Sequence, residues 1–170
     1  MRHYVGEHMK RERKMLMLAK PKYGWCNIMI GQYKIGCASY LTDVPTYLLD
    51  VFNQYLSEEN RLGFTIEFDA EGYFFGIMEF NENLYLIRDN TLDGIPIVQE
   101  ISPAMLGLEV FDRAEIIKKL AYELITDIET NLEDWVYWEN DEESMETNES
   151  DNRRRMLQSK INELKEKIHG

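Results

Sequence analysis

The fold of this chain is decided by one stretch, which reads Trp25-Cys26-Asn27-Ile28-Met29-Ile30-Gly31-Gln32-Tyr33-Lys34-Ile35-Gly36-Cys37-Ala38. Gly31-Gln32 suits the two-residue turn of a β-hairpin, because a type II′ turn needs glycine at its first central position. A turn centred there places six apolar side chains on one face of the hairpin, since alternate residues of a strand point the same way. They pair as Ile30 with Tyr33, Ile28 with Ile35, and Cys26 with Cys37. We therefore predict a hairpin over residues 24–41 whose apolar face lies in the core.

Strand signals continue after the hairpin. Residues 63–89 alternate in the manner of a β-meander. The segment Tyr73 to Phe80 is apolar on both faces, which predicts a central strand that is covered on both sides. A further short strand is expected from Ile95 to Ile101. Together with the hairpin, these segments predict one antiparallel sheet of about five strands.

Two main helices are predicted beside this sheet. Residues 42–57 and residues 112–138 both carry apolar side chains every three or four positions, which is the period of an amphipathic helix. Thr42 or Asp43 suits the N-cap of the first helix, and Asp112 suits that of the second. We predict an α+β fold in which both helices pack on the sheet.

The ends of the chain differ in composition from the acidic body, residues 23–138. Residues 1–22 form a basic N-terminal extension. Its first 20 residues are compatible with a helix that Pro21 ends, and the alternative is a packed or frayed extension. Residues 139–151 form an acidic linker with almost no apolar side chains, and we expect it to be disordered. Residues 152–170 form a basic C-terminal helix.

Four apolar residues of this last helix recur at heptad spacing. They are Leu157, Ile161, Leu164 and Ile168. About two heptads are fewer than a coiled coil needs. The stripe therefore serves either to fold the helix back onto the body or to join two copies of the chain.

The net charge of the chain indicates which classes of partner it is suited to bind. The chain has 19 Lys and Arg against 31 Asp and Glu, a net charge of −12, and the body alone has 6 basic and 20 acidic residues. Such a body disfavours direct binding of nucleic acid, whose affinity comes largely from lysine and arginine. It suits a basic protein partner. The basic ends are also expected to dock onto the acidic body. No apolar run approaches the roughly 20 residues of a membrane span.

Signals for catalysis, metals and cofactors are missing from the sequence. Cys26 and Cys37 form no CxxC motif, and the three histidines lie at the chain ends as His3, His8 and His169. No phosphate-binding loop, dinucleotide fingerprint or nucleophile motif occurs. We expect a non-enzyme without a cofactor. The lack of a signal peptide and of paired cysteines predicts a cytoplasmic location with reduced thiols.

Two groups of residues are candidates for partner binding. Aromatic side chains with a polar atom are enriched at interface hot spots, and three cluster near the end of the second helix. They are Trp135, Tyr137 and Trp138. The alternative is that they close the core at that end. Four carboxylates lie in or beside the meander turns, and these are Asp69, Glu71, Glu79 and Glu82.

One family type shares several local features with this chain. The run Ser39-Tyr40-Leu41-Thr42-Asp43-Val44-Pro45-Thr46-Tyr47-Leu48-Leu49 follows a strand and precedes Phe64 to Asp69 and then Glu71-Gly72. This resembles small uncharacterised bacterial proteins, some of which occur as immunity proteins beside secreted toxins. The resemblance covers about residues 25–90, and its motifs are a helix cap and a turn, so it carries no active site. It implies an acidic binder that blocks a basic toxin.

The leading hypothesis is a non-enzymatic intracellular protein-binding module, of immunity or antitoxin type, that neutralises a basic partner. The alternative is a structural or assembly component, a homo-oligomer that self-associates through its end segments. The two hypotheses place the binding residues differently. The first uses the acidic body, and the second uses the heptad stripe of the C-terminal helix.

Overall fold

The computed structural model describes residues 15–31, 33–57, 63–90, 95–102, 104, 112–138 and 145–170. These residues form an α+β fold with two antiparallel sheets and four helices. The elements are, in chain order, β1 (Leu16–Leu18), β2 (Trp25–Ile30), β3 (Tyr33–Ser39), α1 (Val44–Ser57), β4 (Gly63–Asp69), β5 (Tyr73–Phe80), β6 (Asn83–Asn90), β7 (Ile95–Ile101), α2 (Arg113–Thr130), α3 (Leu132–Val136) and α4 (Thr147–His169).

The strands form two sheets, so the prediction of a single sheet of about five strands is wrong. Strands β1-β2-β3 make a three-stranded sheet, and β4-β5-β6-β7 make a separate four-stranded sheet. The core lies between the two sheets and the helices, and Gly36 of β3 marks their contact. A β-carbon there would lie only 2.6 Å from the Phe75 ring of β5. The sheets therefore meet through side chains instead of sharing strand hydrogen bonds.

The free edge of the three-stranded sheet is closed by carboxylates of α2. The backbone N–H of Leu16 donates to Glu123 Oε2 at 2.7 Å, and that of Leu18 donates to Asp127 Oδ2 at 2.9 Å. Both carboxylates are buried. A helical prediction for residues 15–18 is therefore wrong, because Leu16 and Leu18 alternate into the core from an edge strand. The predicted extension 1–22 thus contributes a strand to the body, while residues 1–14 lie outside the described part.

The edge strand β4 is closed in a similar way by tyrosines of α1. The Tyr55 hydroxyl donates to the Thr65 carbonyl oxygen and accepts from the Thr65 N–H, both at 2.9 Å. The Tyr47 hydroxyl accepts from the Glu67 N–H at 3.1 Å. These bonds occupy edge groups that a neighbouring strand would otherwise use, which is the physical reason that β4 starts a new sheet.

The hairpin is present, but its register differs from the prediction after the first pair. Ile30 pairs with Tyr33 as expected, and Gly31 has the positive φ of 58° that the turn requires. An irregularity between Ile28 and Met29 then shifts the register by one residue. Its pairs become Ile28 with Gly36, Asn27 with Cys37, and Cys26 with Ala38. The predicted pairs of Ile28 with Ile35 and of Cys26 with Cys37 are therefore wrong.

The predicted helices are confirmed, with changes at their ends. Asp112 caps α2 by accepting from the Glu115 N–H at 3.3 Å. The predicted second helix is interrupted at Asn131, and α3 follows. Helix α4 begins at Thr147, so the last residues of the predicted linker are helical instead of disordered. Residues 139–144 of that linker lie outside the described part.

Helix α4 folds back onto the body. Its residues Leu157, Ile161 and Leu164 are buried in the core, and Ile168 packs at the edge of the same cluster. Basic side chains of α4 pair with Asp43, which directly precedes α1, and with acidic residues of the other helices. These pairs are Arg153–Asp43, Arg154–Glu133, Lys160–Asp50 and Lys165–Glu129. The basic end thus docks onto the acidic body, which is one of the two alternatives that the heptad stripe left open.

Candidate functional site

The outward side of the four-stranded sheet is the best candidate for a binding surface, and we call it the open face. Strand register aligns its residues in rows across β4, β5, β6 and β7. The described side chains of this face are Thr65, Glu67, Asp69, Phe74, Met78, Phe80, Asn83, Tyr85, Ile87, Asp89, Val98 and Glu100, with Gly76 in the middle. Four of them are carboxylates and none is lysine or arginine. The face is therefore negatively charged around an apolar centre.

Large apolar side chains of the open face are exposed. Phe74 is 43% exposed, Phe80 61% and Val98 55%. The prediction that the segment Tyr73 to Phe80 is covered on both sides is therefore wrong for its outward side. The inward side, with Phe75 and Ile77, lies in the core as expected. The pattern of apolar residues in this strand is the same whether the rest of the chain covers the face or leaves it exposed. Exposed apolar surfaces of this kind mark interaction sites.

A depression lies at the centre of the open face, above Gly76. A β-carbon at this glycine would overlap the carbonyl oxygen of Ile66, so the close approach of β4 and β5 requires glycine here. Beside this glycine lies a cavity of about 260 Å³. Its walls on the open face are formed by Thr65, Glu67, Phe74, Ile87 and Asp89. Carboxylates and an aromatic ring thus line one small concave site.

The four turn carboxylates of the sequence analysis occupy different environments. Asp69 is half-buried and accepts from the Glu71 N–H at 2.8 Å, which forms the β4–β5 turn at the rim of the open face. Glu71 itself is exposed, and so is Glu82 in the β5–β6 turn. Glu79 is only 2% exposed. The structure brings Asp69 and Glu71 together at the open face and places Glu79 inside the core.

Glu79 belongs to an ion pair that is only partly buried, because the Arg113 side chain is 29% exposed. Its Oε1 accepts from Arg113 Nη2 at 2.7 Å and from the Glu82 N–H at 3.1 Å. Arg113 starts α2, so the pair ties that helix to the four-stranded sheet. The hydrogen bond that Arg113 donates to Glu79 raises the pKa of Arg113, although burial of the guanidinium acts in the opposite direction. Glu79 therefore has no accessible surface to offer a partner in this conformation.

The aromatic cluster lies mostly inside the chain. Trp135 and Trp138 are buried, with ring centroids 5.3 Å apart, and Tyr137 is half-buried. Arg153 of α4 donates to the Trp135 carbonyl oxygen at 3.1 Å. The three aromatics close the core where α3 meets α4, which is the alternative that the sequence analysis kept beside partner binding.

The environment of Cys26 keeps its thiol protonated. Both cysteines are free, and Cys26 is buried. Burial, with a further contribution from Cys37, raises the pKa of the Cys26 thiol to about 12, so it carries a proton at neutral pH. The described ranges hold no cluster of three or more His, Cys, Asp or Glu that could bind a metal ion. No helix within them is long and apolar enough to cross a membrane.

Comparison of the chain with protein-family models, curated proteins and solved structures finds no match. The resemblance to immunity-type proteins therefore stays a prediction.

The sequence analysis missed Glu67, Phe74, Ile87 and Asp89 as site residues. A usable signal was present, because Thr65, Glu67 and Asp69 form a polar face on a strand whose other side is apolar. Phe74 lies on the same side of the neighbouring strand. An apolar residue beside a row of acidic ones indicates a mixed, solvent-facing surface. Only the register between the strands shows that these residues share one face.

Proposed function

We propose that the chain is a non-enzymatic protein-binding module that binds a basic protein on its open face. One observation carries this proposal. The open face combines four carboxylates with exposed apolar side chains and has no lysine or arginine among its described residues. An apolar centre with a charged rim is the usual anatomy of a protein interface, in which the centre provides affinity and the rim provides orientation.

The distribution of charge supports a basic partner over a neutral one. The chain has a net charge of −12, and four basic side chains of α4 pair with Asp43 beside α1 and with acidic groups of α1, α2 and α3. The carboxylates of the open face have no such cationic cover within the described residues. Opposite charge on a partner would raise the rate of association, and added salt would lower it.

An immunity or antitoxin type of action fits this surface. An intracellular acidic protein that covers the basic surface of a toxin needs no catalytic group of its own. The resemblance over residues 25–90 supports this type. Self-association through α4 is less well supported, because Leu157, Ile161 and Leu164 are already buried within the chain.

The test is a search for a basic toxin encoded beside the gene of this protein, followed by co-expression of the two proteins. The wild-type chain should restore growth and bind the toxin with an affinity that falls as salt rises. Glu67→Lys reverses one charge at the centre of the open face and should weaken binding at least about tenfold, since opposed like charges cost more than a lost pair. Glu166→Lys is the matched control, because Glu166 is exposed on α4.

Equal affinity of the two variants would refute the open face as the binding surface. The absence of a toxin gene beside this one, or growth that the chain does not restore, would refute the immunity type. Binding that does not respond to salt would refute the choice of a basic partner.

A further inference from the structure

We infer that the depression above Gly76 receives one arginine side chain of the basic partner. The inference rests on the proposed function and deepens it, because it names the group of the partner that is recognised. It follows from the size of the depression, the groups that line it and the way the fold holds them.

Strand register sets the positions of the two charged walls. Glu67 on β4 pairs with Gly76 on β5, and Gly76 pairs with Ile87 on β6. Asp89 lies two residues further along β6, opposite Phe74. Neighbouring strands are about 4.8 Å apart, so β4 and β6 flank the depression across about 10 Å. Glu67 and Asp89 therefore stand on opposite sides of it.

The size of the depression favours a single side chain. Its volume of about 260 Å³ lies just below the range of roughly 300–1,000 Å³ that is typical of sites for small molecules. It is also shallow, because it opens on the flat side of a sheet. A side chain that projects from a docked protein would fill it, while the surrounding face would contact the rest of that protein.

The lining matches arginine better than other side chains. The apolar surfaces of Ile87 and Phe74 suit the methylene stem, and the half-exposed Phe74 ring offers a surface on which a guanidinium stacks. The carboxylates of Glu67 and Asp89 suit the fork of N–H donors, which binds a carboxylate through two hydrogen bonds. Lysine lacks both the planar stacking group and the fork.

Other anchors fit the depression poorly. An acidic side chain would meet two carboxylates of its own charge. A purely apolar anchor would take Glu67 and Asp89 out of water without providing a partner, which is costly for a charged group. A cation with an apolar stem satisfies both kinds of wall.

The fold holds the depression in place before any partner arrives. The Tyr47 hydroxyl of α1 accepts from the Glu67 N–H at 3.1 Å and fixes the backbone of that wall. Gly76 fixes the floor, since a β-carbon there would overlap the backbone of β4. A preformed site loses less conformational entropy on binding than a mobile one.

The experiment is an NMR titration of the ¹⁵N-labelled full chain with N-acetyl-arginine methylamide. We expect saturable shifts concentrated at the amides of Glu67, Gly76, Ile87 and Asp89. The lysine analogue should bind more weakly, and the neutral citrulline analogue should give no saturable shifts. Shifts spread over exposed carboxylates everywhere, or equal shifts with citrulline, would overturn the inference.

Variants separate the depression from the general negative charge. Glu67→Gln and Asp89→Asn should each raise the dissociation constant for the arginine probe about fivefold, the upper range for a partly exposed ion pair. Glu166→Gln removes the same charge on α4 and should leave the constant unchanged. Glu67 and Glu166 are exposed and Asp89 is half-buried, and the dispersion of the spectrum verifies that each variant folds. If Glu166→Gln weakens binding of the arginine probe as much as the other two variants do, the depression is not a specific site for arginine.

The same variants distinguish this inference from the proposed function. In one outcome, Glu67→Lys weakens toxin binding, but Asp89→Asn leaves the affinity unchanged and the arginine probe causes no local shifts. That outcome refutes the arginine site and leaves the binding face standing. If the probe binds at the depression but Glu67→Lys does not weaken the binding of any basic partner, then the proposed function is refuted.

Discussion

Replacing Arg153 by methionine should loosen the attachment of α4 to the body. The Arg153 guanidinium binds the Asp43 carboxylate through two hydrogen bonds of 2.8 and 2.9 Å. Its Nε also donates to the Trp135 carbonyl oxygen at 3.1 Å. Asp43 precedes α1 and Trp135 belongs to α3, so a single side chain joins three helices. Methionine keeps an apolar stem and removes both the hydrogen-bond donors and the positive charge.

The expected loss of stability is about 2–3 kcal/mol. A hydrogen bond to a charged group contributes about 1.5–3 kcal/mol and one between neutral groups about 1 kcal/mol, but bonds made by one side chain do not add fully. Breaking a fully buried ion pair costs about 3–5 kcal/mol. The Asp43 side chain is 32% exposed and can be rehydrated in the variant, which lowers the cost below that range.

The pH dependence of this loss has a definite sign. Burial tends to raise the pKa of Asp43, but the hydrogen bonds and charge of Arg153 outweigh it, so the pKa lies below its usual value. A carboxyl with a lowered pKa in the folded state stabilises the fold above its unfolded pKa of about 3.9. That contribution disappears as the pH falls through the folded pKa. The difference in stability between wild type and Arg153→Met should therefore be largest near neutral pH and shrink in acid.

Urea unfolding followed by tryptophan fluorescence measures these differences, since Trp135 and Trp138 are buried beside the attachment. Arg155→Met is the control, because Arg155 is exposed on the same helix, and it should change stability by no more than about 0.5 kcal/mol. Equal losses in the two variants, or a difference that grows as the pH falls, would refute the reasoning.

Two further substitutions test how the four-stranded sheet is held. Arg113→Met should cost about 3 kcal/mol in urea unfolding, because it leaves the Glu79 carboxylate buried without that cation. Adding Glu79→Gln to this variant should recover part of the lost stability. If the losses of the two single variants simply add in the double variant, the two residues do not stabilise each other as a pair. Tyr55→Phe should cost about 1 kcal/mol, since its hydroxyl makes two bonds to the Thr65 backbone. Tyr122→Phe, at an exposed position, is the control. An equal loss of stability in the two variants would show that the bonds from the Tyr55 hydroxyl to β4 do not stabilise the fold.

Local signals in the sequence were sufficient for most individual elements. The apolar period placed α1 and α2, Asp112 marked the start of α2, and Gly31 marked the hairpin turn. These features depend on interactions between residues a few positions apart. Caps, turns and periodicity act within such distances, and they do not need the rest of the chain.

Two errors came from interactions that local patterns do not contain. The irregularity at Ile28 and Met29 moved Cys37 away from Cys26, because a register shift depends on how both strands fit against the core. The second sheet was missed because Tyr55 and its neighbour Tyr47 reach β4 from α1. The sequence showed that both tyrosines lie on the apolar side of the helix, but it did not show which backbone groups their hydroxyls bind.

The candidate site was the part least accessible to prediction. The exposed Glu71 could be selected from its turn, but Glu79 of the same group lies in the core with Arg113. The residues that line the depression, such as Glu67 and Asp89, come from strands that are separated in sequence. Nothing in either strand alone indicates that they flank the same glycine.

The sequence by itself determined most of the helices and strands, the negative charge of the body and the apolar stripe of α4. These follow from composition and from contacts between residues close in the chain. The tertiary structure alone decided that the strands divide into two sheets, that α4 covers its own body, and that one acidic sheet face stays open. Those outcomes depend on which distant side chains reach each strand edge and helix groove, and that is settled only when the whole core packs.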